Sequence, residues 1–143
     1  MWRWLLRLAD EARHAARSRR EAPAQALGRR GEDLAHRHLE RQGMTVVARN
    51  WRPPSGSGEI DLIAWEGTTL VMVEVKCRRS DQDGAPERNL DRDKFRQMAR
   101  AGRDYARRAG VPWERVRFDL VSILLEPQLR IRHLRDAFPV KTL

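Results

Sequence analysis

The chain has 143 residues, 41% of them hydrophobic and 34% charged. That length suits one domain with a moderate core. The composition is too apolar for a disordered chain, and no apolar run approaches the roughly 20 residues that a bilayer-spanning helix needs.

Lys+Arg number 29 against 20 Asp+Glu, a net charge of +9. A basic surface of this kind attracts polyanions, nucleic acid first and an anionic membrane surface second. Only Lys76, Lys94 and Lys141 are lysines, the other basic residues being arginines. Part of the charge is thus a general preference for arginine, and a lysine inside a patterned segment carries more weight. The single cysteine, Cys77, excludes a disulfide within the chain, and no Cys/His spacing reads as a zinc site. The opening apolar run is too short for a signal peptide and is followed at once by Asp10 and Glu11, so cytoplasmic residence is expected.

Residues 1–24 read as a basic N-terminal extension and 25–143 as a single domain. In the extension Trp4, Leu5, Leu8 and Ala12 recur at helical spacing among arginines. A basic amphipathic helix is one reading, and a loosely ordered terminal segment is preferred; membrane association is not expected. A helix is predicted from about 23 or 24 to 42, ended by Gly43, with Leu27, Leu34, Ala35 and Leu39 on its apolar stripe. A β-branched strand follows at about 45–51, then a Pro/Gly/Ser loop at 53–58. Strands at 59–65 and 69–77 flank a tight turn, and the second, the most apolar stretch, reads as a buried central strand. A polar loop leads to a helix at about 91–109, predicted to turn Phe95, Met98, Ala99, Gly102, Tyr105 and Ala109 inward. Its other face carries Arg92, Arg96, Arg100, Arg103 and Arg107. Strands at about 116–125 and 129–134 complete the chain. The order α-β-β-β-α-β-β implies an antiparallel meander, a helical crossover and a fourth strand joining in parallel. The expected fold is α/β, a mixed central sheet flanked by helices.

The chemistry lies in Glu59-Ile60-Asp61 and in Val73-Glu74-Val75-Lys76. Side chains alternate along a strand, so Glu74 and Lys76 share a face, as do Glu59 and Asp61. A two-residue Gly67-Thr68 loop of type II′ sets Glu66 against Thr69, Ala64 against Val71 and Asp61 against Glu74, with Glu59 facing Lys76. Two opposed carboxylates in an apolar strand repel each other. A divalent cation relieves that repulsion, and magnesium takes such hard oxygen ligands together with water and phosphate oxygens. Lys76 points at the same spot, placed to orient water or offset charge on phosphate. An ordinary ion-pair cluster of Glu74 with Lys76, and of Glu59 with an arginine, is the simpler alternative. Function is preferred because the acid of the preceding strand meets Glu74 at this register. Glu32 lies on the apolar side of the first helix, where it either completes the metal site or pairs with Arg49 or Arg52. His36, one turn on, would bond Glu32 or lie at the surface.

Together, Gly28-x-x-Gly31-Glu32, Ala48-Arg49-Asn50-Trp51-Arg52, Gly58-Glu59-Ile60-Asp61-Leu62-Ile63-Ala64, Val73-Glu74-Val75-Lys76-Cys77-Arg78 and Arg117-Phe118-Asp119 resemble the YraN family of small bacterial proteins. That family is similar to the PD-(D/E)xK nuclease superfamily, near archaeal Holliday junction resolvases. The resemblance implies a restriction-endonuclease-like core. It also implies a Mg²⁺ or Mn²⁺ site with Asp61 and Glu74 as ligands, the Val75 carbonyl as a further ligand, Lys76 as the catalytic base or water-orienting group, and Glu32 in support. The implied activity is endonucleolytic hydrolysis of DNA, with branched or structured DNA as the substrate by resemblance. A homodimer would suit two-fold DNA. Two departures are noted: Ile60 stands where proline often precedes the acid, and Tyr105 lacks a glutamine four residues before it. The contrasting reading is a non-catalytic nucleic-acid-binding or DNA-repair accessory protein.

Arg78 and Arg79 leave the strand beside this site and would hold phosphates or remain solvated. Lys94 and Gln97 open the second long helix and would reach a nucleic-acid backbone. Trp51 and Trp65 read as packing residues before stacking platforms. Cys77 reads as a small buried residue, and Asp119 as the partner of Arg117.

Overall fold

The computed structural model describes residues 23–56, 58–80 and 92–138; residues 1–22 of the N-terminal extension read at 1–24 lie outside them. Helix α1 spans Pro23–Arg41, strand β1 Thr45–Trp51, β2 Ile60–Glu66, β3 Thr69–Arg78, helix α2 Arg92–Ala109, β4 Val116–Leu124 and β5 Arg130–Leu134. A single 3₁₀ turn at Trp113–Arg115, absent from the sequence prediction, leads into β4 and sets the Trp113 ring against Phe118 at 5.8 Å.

The five strands form one sheet in the order β1-β2-β3-β4-β5, antiparallel except for β3 with β4. The parallel pair follows from α2, because a strand pair joined through a helix can return in the same direction. β3 is thereby central, which explains its run of buried residues from Leu70 to Glu74.

The helices cover opposite faces. Ala35 and Leu39 of α1 pack on Leu62, Ala64, Val71, Val73, Val121 and Ile123. Met98, Ala99, Ala101 and Ala106 of α2 pack on Ile63, Leu70, Met72, Phe118 and Leu120. Two corrections fall on α2: Ala109, expected inside, is exposed, and Ala101 and Ala106 are buried in the core. The aromatic residues suggested a stripe about one position away from the real one. Phe95 and Tyr105 flank the contact, and the small alanines let the helix lie close to the sheet.

Gly31 has the same role in α1. A Cβ there would stand 2.6 Å from the Cβ of Cys77 and 3.5 Å from Val75 Cγ1. Only glycine allows α1 to cross β3 at this height, and that crossing brings Glu32 to the end of the sheet. Among the described residues, no helix is long and apolar enough to cross a membrane.

Candidate functional site

The β2–β3 turn sets the register. Gly67 has φ +59° and Thr68 is absent from the positive-φ residues, as a type II′ turn requires. Glu66 pairs with Thr69, Ala64 with Val71 and Leu62 with Val73, as the sequence predicts, and there the backbone ladder ends. At the next step Asp61 Oδ2 accepts the N–H of Val75 at 2.8 Å. A side-chain carboxylate takes the place of a ladder carbonyl, and Asp61 is held beside Glu74.

The expected pairing of Glu59 with Lys76 does not form. Once the ladder is broken at Asp61 nothing carries the register to Glu59, whose carboxylate accepts from Arg52 Nη2 at 2.7 Å and Nε at 2.9 Å. The ion-pair alternative therefore holds for Glu59.

Glu74 is 2% exposed. Lys76 Nζ lies 3.5 Å from its Oε1, and the ammonium of Lys94, from α2, contacts the same oxygen. Lys94 thus belongs to the cluster itself. Burial pushes the Asp61 carboxyl up to about 8, reinforced by the negative charge of Glu74 and, more weakly, of Glu32; the Val75 N–H acts in the opposite direction. Burial lowers the Lys76 ammonium, and neighbouring Lys94 lowers it further against the pull of Glu74. Burial also disfavours charge on Lys94, but contact with Glu74 outweighs it and its pKa is raised. A cavity of about 310 Å³ opens onto these groups, bordered by Arg52, Glu59, Asp61, Glu74, Lys94 and Gln97.

The donor set fits a hard divalent ion. Two carboxylates share one spot, and one of them is strongly disfavoured as an anion without a cation beside it. The fit rests on two side chains, since no group of three His, Cys, Asp or Glu able to hold a metal occurs among the described residues. Glu32 Oε2 accepts from Asn50 Nδ2 at 3.0 Å and lies 3.7 Å from Arg49 Nη2, and its charge reaches Asp61. Burial raises its pKa, partly offset by Asn50 and Arg49. Of its two predicted partners, Arg49 is realised and Arg52 is taken by Glu59. Val75 joins the cluster through its backbone N–H.

Several secondary expectations resolve. His36 binds Glu40 at 2.5 Å and not Glu32, which is equally one helical turn away but whose carboxylate is engaged by Asn50 and Arg49. Trp51 stacks edge-on against Tyr105 at 5.3 Å, and Trp65 packs on the α2-side core. Cys77 is half-buried beneath Gly31, and burial pushes its thiol up. Asp119, fully buried, accepts from Arg117 Nε at 2.7 Å, as predicted, and also meets His133 Nε2 at 2.7 Å and the Asp136 N–H at 3.0 Å. Sequence reasoning missed Asn50 and underrated Lys94. Asn50 sits at φ +49°, a conformation asparagine tolerates better than most residues, and this aims its amide at Glu32. The sparing use of lysine already marked Lys94.

The chain matches the family described as "Uncharacterised protein family UPF0102" over residues 31–123. A UPF0102 protein of Solibacter usitatus is 52% identical over 126 residues, 88% of this chain and 96% of that relative. A UPF0102 protein of Rhodococcus jostii is 49% identical over 115 residues, 79% of this chain and 96% of the relative. One of Chlorobaculum tepidum is 39% identical over 123 residues, 81% and 94% of the two chains. All the elements that build the cluster except part of α1 fall inside the matched range, and the chain belongs to the UPF0102 family, the YraN family to which its five sequence blocks point.

Proposed function

We propose that this chain is a magnesium- or manganese-dependent endonuclease that hydrolyses phosphodiester bonds of DNA. The reading is carried by one observation: Asp61 and Glu74 are brought together where the β2–β3 ladder ends, with Lys76 and Lys94 the cations at Glu74.

Asp61 and Glu74 would hold the ion, with the Val75 carbonyl as the backbone donor beside them. When bound, the ion supplies Lewis-acid polarisation of the phosphoryl group and a lowered water pKa. Lys76 does the rest from the protein side. Its partly exposed ammonium, 3.5 Å from Glu74, orients the attacking water and offsets charge building on the phosphate. Val75 N–H and the Glu74 environment fix Asp61, so the carboxylate needs no reorientation on binding. Glu32 acts from the rim through its charge, held by Asn50 and Arg49. Branched or structured DNA is the substrate class suggested by resemblance.

The test is cleavage of duplex and four-way-junction DNA with Mg²⁺ by wild type, Asp61→Asn and Lys76→Met, each checked for folding by thermal melts. Cleavage by wild type alone is expected, with calorimetric Mg²⁺ binding absent from Asp61→Asn. Equal cleavage by all three would refute the assignment. A second reading, non-catalytic nucleic-acid binding, is favoured by the engagement of the Glu32 carboxylate with Asn50 and Arg49. It expects DNA binding that chelator leaves undiminished and no metal-dependent product.

A further inference from the structure

Past Lys76, β3 ends in Cys77 and Arg78, and the chain leaves as Arg79. α1 runs alongside, with Gly31 seated over Cys77. Between them opens a cleft of about 550 Å³, bordered by Leu27, Arg29, Arg30, Asp33, Arg79, Leu125 and Glu126. It is distinct from the acid–lysine cavity, with which it shares no lining residue.

Its charge is unbalanced. Asp33 is committed to Arg49 at 2.8 Å, and Arg29, Arg30 and Arg79 outnumber the remaining acid of the lining, Glu126. Arg30 and Arg79 are exposed, and guanidinium forks so placed suit an anion with paired oxygens. The apolar walls, Leu27 and Leu125, offer no aromatic surface on which a base would stack.

We infer that this cleft is a phosphodiester-backbone site, in which Arg30 and Arg79 hold a nucleic-acid phosphate on the α1 side of the sheet, apart from the acid–lysine cavity. The inference rests on the nucleic-acid part of the proposed function, not on its metal. Arg suits the role because its planar fork takes two phosphate oxygens at once.

The test uses the full chain and a fluorescein-labelled DNA duplex in EDTA, with affinity followed by anisotropy across a salt series. For Arg30→Ala/Arg79→Ala the slope of log K against log salt is expected to fall by about 1.4–1.8, two phosphate contacts at about 0.7–0.9 each. Affinity at about 0.1 M salt falls roughly tenfold or more. The comparator Arg37→Ala/Arg41→Ala removes the same charge from the exposed side of the same helix and should change the slope far less. Arg30→Lys/Arg79→Lys, which keeps the charge, guards against a folding defect and should retain most of the slope. Equal losses in the cleft and comparator pairs, or none in either, overturn the inference. So does calorimetric binding of inorganic phosphate that the cleft pair loses while its DNA affinity is unchanged. Magnesium titration of the same proteins separates the two sites. A slope that drops in a chain taking up no Mg²⁺ leaves the cleft standing and removes the metal centre.

Discussion

Replacing Lys94 by methionine tests the centre of the cluster from a helix outside the Glu-x-Lys pattern. The substitution removes the ammonium from Glu74 and leaves a side chain of similar length. Glu74 is 2% exposed and keeps only Lys76, at 3.5 Å, as a cation. Breaking a fully buried pair costs about 3–5 kcal/mol. Lys94 is 43% exposed, so solvent screening lowers its share to about 1–2 kcal/mol. For a domain of this size, that is a drop of roughly 4–8 °C in the metal-free Tm. The same change should tighten Mg²⁺ binding, because the ion and Lys94 compete for one carboxylate: about 1–2 kcal/mol of relieved competition is roughly five- to thirtyfold in Kd. Melts in EDTA and in excess Mg²⁺, paired with calorimetric titration, read both effects. Saturating Mg²⁺ should return most of the lost stability. A lower Tm with unchanged Mg²⁺ affinity would mean that the ion does not use Glu74 and that Lys94 is only a structural partner. No change in either would mean that the contact is absent in solution.

Gly31→Ala places a Cβ 2.6 Å from Cys77 Cβ, so α1 must shift, and a loss of about 1–3 kcal/mol in denaturant melts is expected. Adding Cys77→Ala should not rescue it, because alanine keeps the offending Cβ; full rescue would place the clash at sulfur. Asp119 gives the acid dependence. Burial acts to raise its pKa, but bonds from His133, Arg117 and the Asp136 N–H prevail and hold it below the usual carboxylate range. A depressed folded pKa means the stabilisation is present above the unfolded value, about 3.9, and is lost as pH falls through the folded one. Asp119→Asn is therefore expected to cost about 2–4 kcal/mol at pH 7 and less at pH 3; a cost independent of pH would show that ionisation is not what stabilises the site.

Much of this architecture was legible because local rules agreed with each other. Gly67 at the first turn position fixed the β2–β3 register, and register fixed which acid meets Glu74. The long, Arg-faced helix between two apolar strands forced the parallel β3–β4 pair. What escaped depended on tertiary placement. Nothing in a one-dimensional pattern says that the first turn of α2 lies over Glu74, so Lys94 read as a contact for a nucleic-acid backbone and not as a partner of Glu74. The alanines at 101 and 106 carry little hydrophobic signal, yet closeness of approach needed their size and not their apolarity. Asn50 escaped because its value is conformational, a left-handed residue at the end of an edge strand whose amide reaches another element.

The break in the ladder explains both the fold and the proposed chemistry. A regular β2–β3 pair would satisfy the Val75 N–H with a backbone carbonyl and send Asp61 on to the α2 core, where an unpaired carboxylate is costly. Instead the carboxylate accepts that N–H itself, the strands part, and a cavity bordered by Asp61 and Glu74 opens where the ladder ends. The cost is visible as a carboxyl pushed up to about 8 by burial and by Glu74. A protein selected for stability alone would place an apolar residue at position 61, since Ile60, Leu62 and Ile63 around it are completely buried. Retaining the acid there makes sense if a cation is bound during function, and the two lysines at Glu74 then mark where positive charge is needed before that cation arrives.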